Sequence, residues 1–338
     1  MINENIRFLR KSLTWKRTWN AVKAYAGYFL SLLVRKPVIW GFPPVIMIEP
    51  TNICNLKCPL CPSGNGTLLR AKGNMTLATF KQVIDQVHEY SFMAVLWNQG
   101  EPFLNDDILE MISYASERKM FTLLSTNGNI HPDAEAVVNS GLDSLIISLD
   151  GASQDTYNKY RVNGELSKVL DFAETLVAAR KKLNKINPLL RWQFLVMKHN
   201  EHEIEQIQHK AKKLGVDNLV LKTVQIYSKE DIARFLPENP RYRRYNIKGD
   251  NFELKAGIPN RCRRIWINCV INWDGEMAVC CFDKDVTIKI GNIADSSLIE
   301  LWHSTRFNQF RKNILQNRKA YEICRNCGES VKMKIKHN

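Results

Sequence analysis

No apolar run in this 338-residue chain approaches the roughly 18 residues that a bilayer-spanning helix needs, and nothing repeats at a fixed period of tens of residues. A helical channel, a solenoid and a fibre are therefore excluded. The most apolar early stretch, Ala24 to Val34, contains Tyr, Gly and Ser and runs into Arg35-Lys36 without a small-residue cleavage site, so no cleaved signal peptide is expected. Without a secretory signal, nine cysteines, an odd number, make a poor disulfide framework, and metal ligation or redox chemistry is the better reading. Acid is scarce as well: 34 Asp and Glu against 48 Lys and Arg give a formal charge of +14, which points to an anionic partner such as a membrane, a nucleic acid or a phosphorylated substrate. At 45% hydrophobic and 24% charged, the chain can bury the core of one large domain, or of one domain with an appendage.

Residues 1–43 form a basic preamble in which Arg7, Arg10, Lys11, Lys16, Arg17, Lys23, Arg35 and Lys36 stand against one acid, Glu4. Trp15, Trp19, Val22, Ala26, Phe29 and Leu33 recur at three- to four-residue steps, the period of an amphipathic helix. Such a helix either lies on an anionic membrane surface through residues 1–36 or packs against the body of the protein.

From Pro44 short apolar strands alternate with amphipathic segments of helical length, the pattern of a parallel sheet built from βα units. Strands are expected at Val45 to Glu49, Phe92 to Trp97, Phe121 to Ser125, Ser144 to Leu149, Leu189 to Met197 and Asn218 to Val224, with helices between them. Six units over 44–227 are too few for a closed eight-unit barrel, so an open, partial α/β barrel is expected. Residues 228–257, with Pro237, Pro240 and the run Arg241-Tyr242-Arg243-Arg244-Tyr245, read as a bridge. Residues 258–338 hold six of the nine cysteines and are few enough to need a metal centre as a stabiliser.

Directly after the first strand, Cys54, Cys58 and Cys61 form a C-x3-C-x2-C run. Thiolates are the usual ligands of iron-sulfur clusters, normally four to a cubane, so three leave one iron open to a substrate or cofactor. A zinc loop with a distant fourth ligand is the alternative.

This run, on the loop after the first strand of a six-unit βα chain, resembles the radical S-adenosylmethionine superfamily. Gln99-Gly100-Glu101-Pro102, after the second strand, is similar to the family's G-G-E-P motif, which binds the amino group of S-adenosylmethionine; Gln99 replaces the first glycine. Ser125 and Asn127 follow the third strand and Ser148 ends the fourth, edges that hold the ribose and methionine carboxylate in the family. Arg161 lies where related enzymes use an arginine for that carboxylate, and Leu60 matches the position that packs near the adenine. The second cysteine group resembles a truncated SPASM domain, which implies one auxiliary [4Fe-4S] cluster on Cys262, Cys280, Cys324 and Cys327, with Cys281 as a competitor for Cys280 and Cys269 left over. The fold implied is a partial (β/α)6 radical SAM barrel with a small C-terminal iron-sulfur domain of SPASM type.

The resemblance implies reductive cleavage of S-adenosylmethionine to methionine and a 5′-deoxyadenosyl radical, which takes hydrogen from the substrate. An external donor of flavodoxin or ferredoxin type supplies the electron. Lys222, on the last strand, is a candidate base if burial disfavours its charge, and Gln193 and Lys198 are lesser ones. Dehydrogenation of a carbohydrate, cyclitol or lipid-linked small molecule is the leading expectation and peptide modification the alternative. The expected location is cytoplasmic, with contact at the inner face of the membrane left open. A reading from another class, a zinc-stabilised nucleic-acid-binding protein, has the charge in its favour but does not account for an open three-cysteine loop followed by the cofactor motifs in order.

Overall fold

The computed structural model describes residues 4–249, 251–255 and 257–328. Its centre is a parallel run of six strands, β1 (Val45–Ile48), β2 (Met93–Val95), β3 (Phe121–Thr126), β4 (Ser144–Ser148), β5 (Leu189–Val196) and β6 (Asn218–Thr223), each at its expected place in the sequence. Their outer faces, Ile46, Leu124, Leu145, Trp192 and Phe194 among them, are buried under the crossover helices. Those helices, for example Leu77–Val87 and Leu166–Lys182, match the expected segments within a few residues. The inner faces follow from the register: Val45 pairs with Met93, Met47 with Val95, Val95 with Leu123, and Gln193 with Ser148, and paired residues of a parallel sheet point the same way. These residues line the lumen.

The bridge holds a helix, Lys229–Phe235, and an antiparallel hairpin, β7 (Tyr245–Lys248) with β8 (Asn251–Leu254). The cysteine-rich part also extends the central sheet. Its strand β9 (Asn268–Ile271) pairs in parallel with β1, and β10 (Met277–Ala278) closes on β9, giving the order β10-β9-β1-β2-β3-β4-β5-β6. Cys269 is thus a sheet residue, 1% exposed. Trp266 and Trp302 join the barrel's core and donate indole N–H groups to Val38 O at 3.2 Å and Gly41 O at 3.0 Å.

The preamble forms two helices, α1 (Glu4–Ser12) and α2 (Trp15–Val34). Of the two placements the sequence allowed, packing on the body is the one seen, yet it uses the face opposite the apolar stripe. Arg17, Asn20, Ala24, Gly27, Tyr28 and Ser31 are buried. The reason is that α1 and α2 run beneath the N-terminal ends of the strands, where loop carbonyls need donors. Arg17 donates to His88 O (2.8 Å), Ser12 O (3.0 Å), Lys119 O (2.6 Å) and Arg118 O (2.7 Å). Asn20 donates to Phe42 O and Tyr90 O, and Lys11 pairs with Asp143 at 2.5 Å. Gly27 permits the approach, since a Cβ there would lie 2.7 Å from Val38 O. Because Arg17→Ala strips four carbonyls of their donor, it is expected to cost about 3 kcal/mol, read as a lower midpoint in urea unfolding. A midpoint within error of the wild type would refute the bolting role.

Candidate active site and second thiol cluster

At the opposite, C-terminal end of the strands the loop after β1 carries Cys54, Cys58 and Cys61. It is tied to each neighbouring strand end. Asn127, after β3, donates from Nδ2 to Asn55 Oδ1 at 2.8 Å and lies 3.9 Å from Cys54 Sγ. Arg161 places Nη1 3.7 Å from Cys58 Sγ. Ser63 donates to Gln99 Oε1 and accepts from Gly100 N. Gly64 lets the chain fold back on the loop, because a Cβ there would meet Cys58 N at 2.6 Å. None of the nine cysteines forms a disulfide. Burial pushes Cys54 up to about 12 and raises Cys58 too, the latter opposed by the Arg161 guanidinium. Three thiols on one loop with N–H donors aimed at two sulfurs fit an anionic iron-sulfur cluster, whose sulfurs accept such bonds.

Gln99, Gly100 and Glu101 are held from both sides. Gly100 has φ +75, and any Cβ would lie 2.6 Å from Thr51 O, so glycine is required there. Glu49, at the end of β1, bonds Arg70 through both oxygens at 2.9 Å and accepts from Gln99 N at 3.1 Å. Neither Glu49 nor Arg70 was singled out in the sequence, where an acid ending a strand gives no sign of its partner. Glu101 is 1% exposed. Its carboxylate accepts from Thr126 Oγ1 at 2.7 Å, Asn127 N at 2.6 Å and Phe103 N at 3.3 Å, so the side chain straps the β2 loop to β3. Burial nevertheless raises its pKa to about 7, against the pull of those donors.

A carboxyl whose folded value lies above its ordinary 4.5 binds more protons folded than unfolded across the window from there to about 7. Its contribution is full below 4.5 and is lost as pH rises through 7, a fall of about 3 kcal/mol. Glu101→Gln is expected to flatten that slope in denaturant melts across the window. An unchanged slope in the variant would assign the proton to another group.

Arg161 ion-pairs with Asp150 at 2.6 Å, and Asp150 in turn accepts from Leu195 N at 2.7 Å, so the guanidinium is aimed from β5. Ser148 is buried, while Ser125 and Leu60 are half-buried. Lys222 requires a correction. It shares the lumen side with Leu195, its partner in register, but it is exposed, because β6 is the open edge of the sheet. The burial on which a lysine base depended is not there, and Lys198, ion-paired with Glu238 at 3.1 Å, is exposed too.

Cys262, Cys280, Cys324 and Cys327 line one narrow, largely apolar cavity together with Arg264, Phe310 and Arg318. Cys281 is not on that wall; its Sγ takes a contact from Arg264 Nη1 at 3.6 Å. Burial raises the Cys280 thiol well above its ordinary value and the Cys324 thiol to about 11. Among the described residues no three Cys, His, Asp or Glu converge tightly enough for a single ion. The thiols share a cavity rather than a point, and the fit is to a cluster. Asn326, between the last two thiols, bonds Tyr245 Oη at 2.6 Å and Ile226 O at 2.6 Å, which ties this turn to the loop after β6. A second cavity, of about 580 Å³, fills the lower lumen between Met47, Val95 and Leu123 on the sheet and Tyr28 and Phe29 on α2. Cys262 and Arg264 line both cavities.

The radical SAM superfamily pattern matches residues 48–211, and that of the SPASM iron-sulfur cluster-binding domain matches residues 262–328. The chain belongs to the radical SAM superfamily and carries a SPASM domain. S-adenosylmethionine, a [4Fe-4S] cluster and an auxiliary cluster are its cofactors, which leaves no place for the zinc-stabilised reading. Solved structures share the fold. BtrN, in complex with AdoMet and 2-DOIA, is 16% identical with TM-score 0.54, the match covering 87% of this chain and 96% of BtrN. Streptococcus suis SuiB bound to S-adenosylmethionine is 15% identical with TM-score 0.62, covering 91% of this chain and 77% of SuiB. Native anSMEcpe with bound AdoMet is 17% identical with TM-score 0.55, covering 86% and 91%. No helix among the described residues is long and apolar enough to cross a membrane.

Proposed function

We propose that the enzyme dehydrogenates a carbohydrate, cyclitol or lipid-linked small molecule. Cys54, Cys58 and Cys61 hold the catalytic cluster, and Cys262, Cys280, Cys324 and Cys327 hold the auxiliary one. When bound, these groups and S-adenosylmethionine supply a hydrogen-abstracting 5′-deoxyadenosyl radical at the first site and an electron acceptor at the second. The chain's own part is placement. Gln99, Gly100 and Glu101, fixed by Glu49 and Thr126, present the β2 loop to the methionine amino group. Arg161, aimed by Asp150, faces its carboxylate, Ser125, Asn127 and Ser148 serve the ribose and carboxylate edge, and Leu60 packs near the adenine. The alcohol carbon would lose a hydrogen atom and its hydroxyl a proton to solvent, and the electron left behind would pass to the cluster held by the second thiol group, leaving a carbonyl. A flavodoxin- or ferredoxin-type donor supplies the electron for each cleavage.

The observation that carries this reading is the shared wall: Cys262 borders both the thiol cavity and the lumen, so a substrate radical in the lumen has an acceptor beside it. The test is anaerobic turnover with polyols, cyclitols and lipid-linked sugars deuterated at their carbinol carbons. Deuterium in 5′-deoxyadenosine together with a product lighter by two hydrogens supports it. Transfer from peptides alone would replace it with peptide modification.

A further inference from the structure

The stripe that the sequence marks as apolar is left uncovered. Trp15 is 80% exposed, Phe29 62% and Leu33 79%, with Trp19 and Val22 about half exposed between them. On a helix of 3.6 residues per turn these positions lie opposite the buried face of Arg17, Ala24 and Ser31. The same holds on α1 and the residue just after it, where Ile6, Leu9 and Leu13 are exposed while Lys11 reaches inward to Asp143. Trp15 and Trp19 stack on each other at 6.2 Å rather than on the body. Apolar contact of this extent on two consecutive helices is an interaction surface.

Its charge says what covers it. No Asp or Glu occurs between Glu4 and Glu49. Glu4 is occupied by Arg191, and Lys16 by Glu89. Arg10, Lys23, Arg35 and Lys36 have no ion-pair partner among the described residues, and Arg10, Arg35 and Lys36 are exposed. A second copy seated on this face would bring those cations against their own images, whereas an anionic bilayer offers the opposite charge. Indole rings beside cations match the depth profile of a membrane interface, and α2, unable to span, is suited to lie in it.

We propose that α1 and α2 seat the enzyme on an anionic bilayer, with the stripe from Trp15 to Leu33 in the headgroup region and Arg35 and Lys36 on lipid phosphates. Phe29 belongs both to this stripe and to the wall of the lumen cavity, so the docked face borders the lumen's lower mouth. Of the substrates proposed above, the lipid-linked ones fit that arrangement. This last step rests on the dehydrogenase reading; the docking does not.

The test is co-sedimentation of the full-length holoprotein with phosphatidylcholine vesicles and with vesicles that also contain phosphatidylglycerol. Binding to the anionic vesicles is expected to weaken about tenfold or more in W15E/W19E, and R35E/K36E is expected to remove most of the preference for anionic lipid. Substrate-free cleavage of S-adenosylmethionine should stay at the wild-type rate in both variants, which keeps a failure of docking apart from a failure of the chemistry. Equal sedimentation of wild type and W15E/W19E would overturn the proposal. So would a vesicle-independent dimer that W15E/W19E dissociates, since the stripe would then belong to a second copy.

Discussion

Protein with alanine at Cys54, Cys58 and Cys61 is expected to release no 5′-deoxyadenosine when reduced anaerobically with S-adenosylmethionine, and its iron should fall from about eight to about four per chain. The loss is total rather than graded because the three thiols sit on one loop whose remaining contacts, from Asn127, Arg161 and Ser63, only orient it. With all three replaced, the loop offers no thiolate to hold a cubane. The fold should survive, since Cys54 and Cys61 are only half-buried, Cys58 alone is fully buried, and the neighbouring strands keep their own hydrogen bonds. The residual iron, on the second thiol group, serves as the internal control. Cleavage at the wild-type rate by the triple variant would remove the cluster from this loop and the proposed chemistry with it.

The second large effect separates two adjacent residues. Cys280→Ala is expected to cost about four irons and to bring product formation to background while cleavage of S-adenosylmethionine continues, uncoupled from substrate. Cys281→Ala should keep its iron and turn over near the wild-type rate. The distinction lies in the wall of the thiol cavity, which includes Cys280 with Cys262, Cys324 and Cys327, while Cys281 lies off that wall against Arg264. Iron and sulfide analysis with product assay on both variants decides it. The reverse pattern would mean that the loop turns over when the cluster is inserted.

Much of this architecture is legible in the residues. The six strands announce themselves because a parallel sheet covered by helices needs short apolar runs at regular intervals, whereas the need for glycine at 100, where the backbone passes Thr51, shows only in the structure. Less legible are features set by tertiary neighbours. The moment of α2 points to Trp15 and Phe29 as its buried side, but the strand ends below the barrel offer carbonyls, and these select Arg17 and Asn20 instead. Lys222 has the correct parity to face the lumen, yet its exposure follows from β6 being an edge, which is a property of topology. Strand β9 is only four residues long, too short to stand out in a cysteine-rich stretch until β1 is seen beside it.

The pairing of β9 with β1 binds one of the last strands to be synthesised to the first. Until residue 268 has left the ribosome, β1 keeps an unpaired edge beside a nascent sheet, a template for association with other chains. Completing that edge and bringing Cys262 to the lumen wall are therefore one event, and a chain stopped short of it lacks both the seal of its barrel and its second thiol cavity.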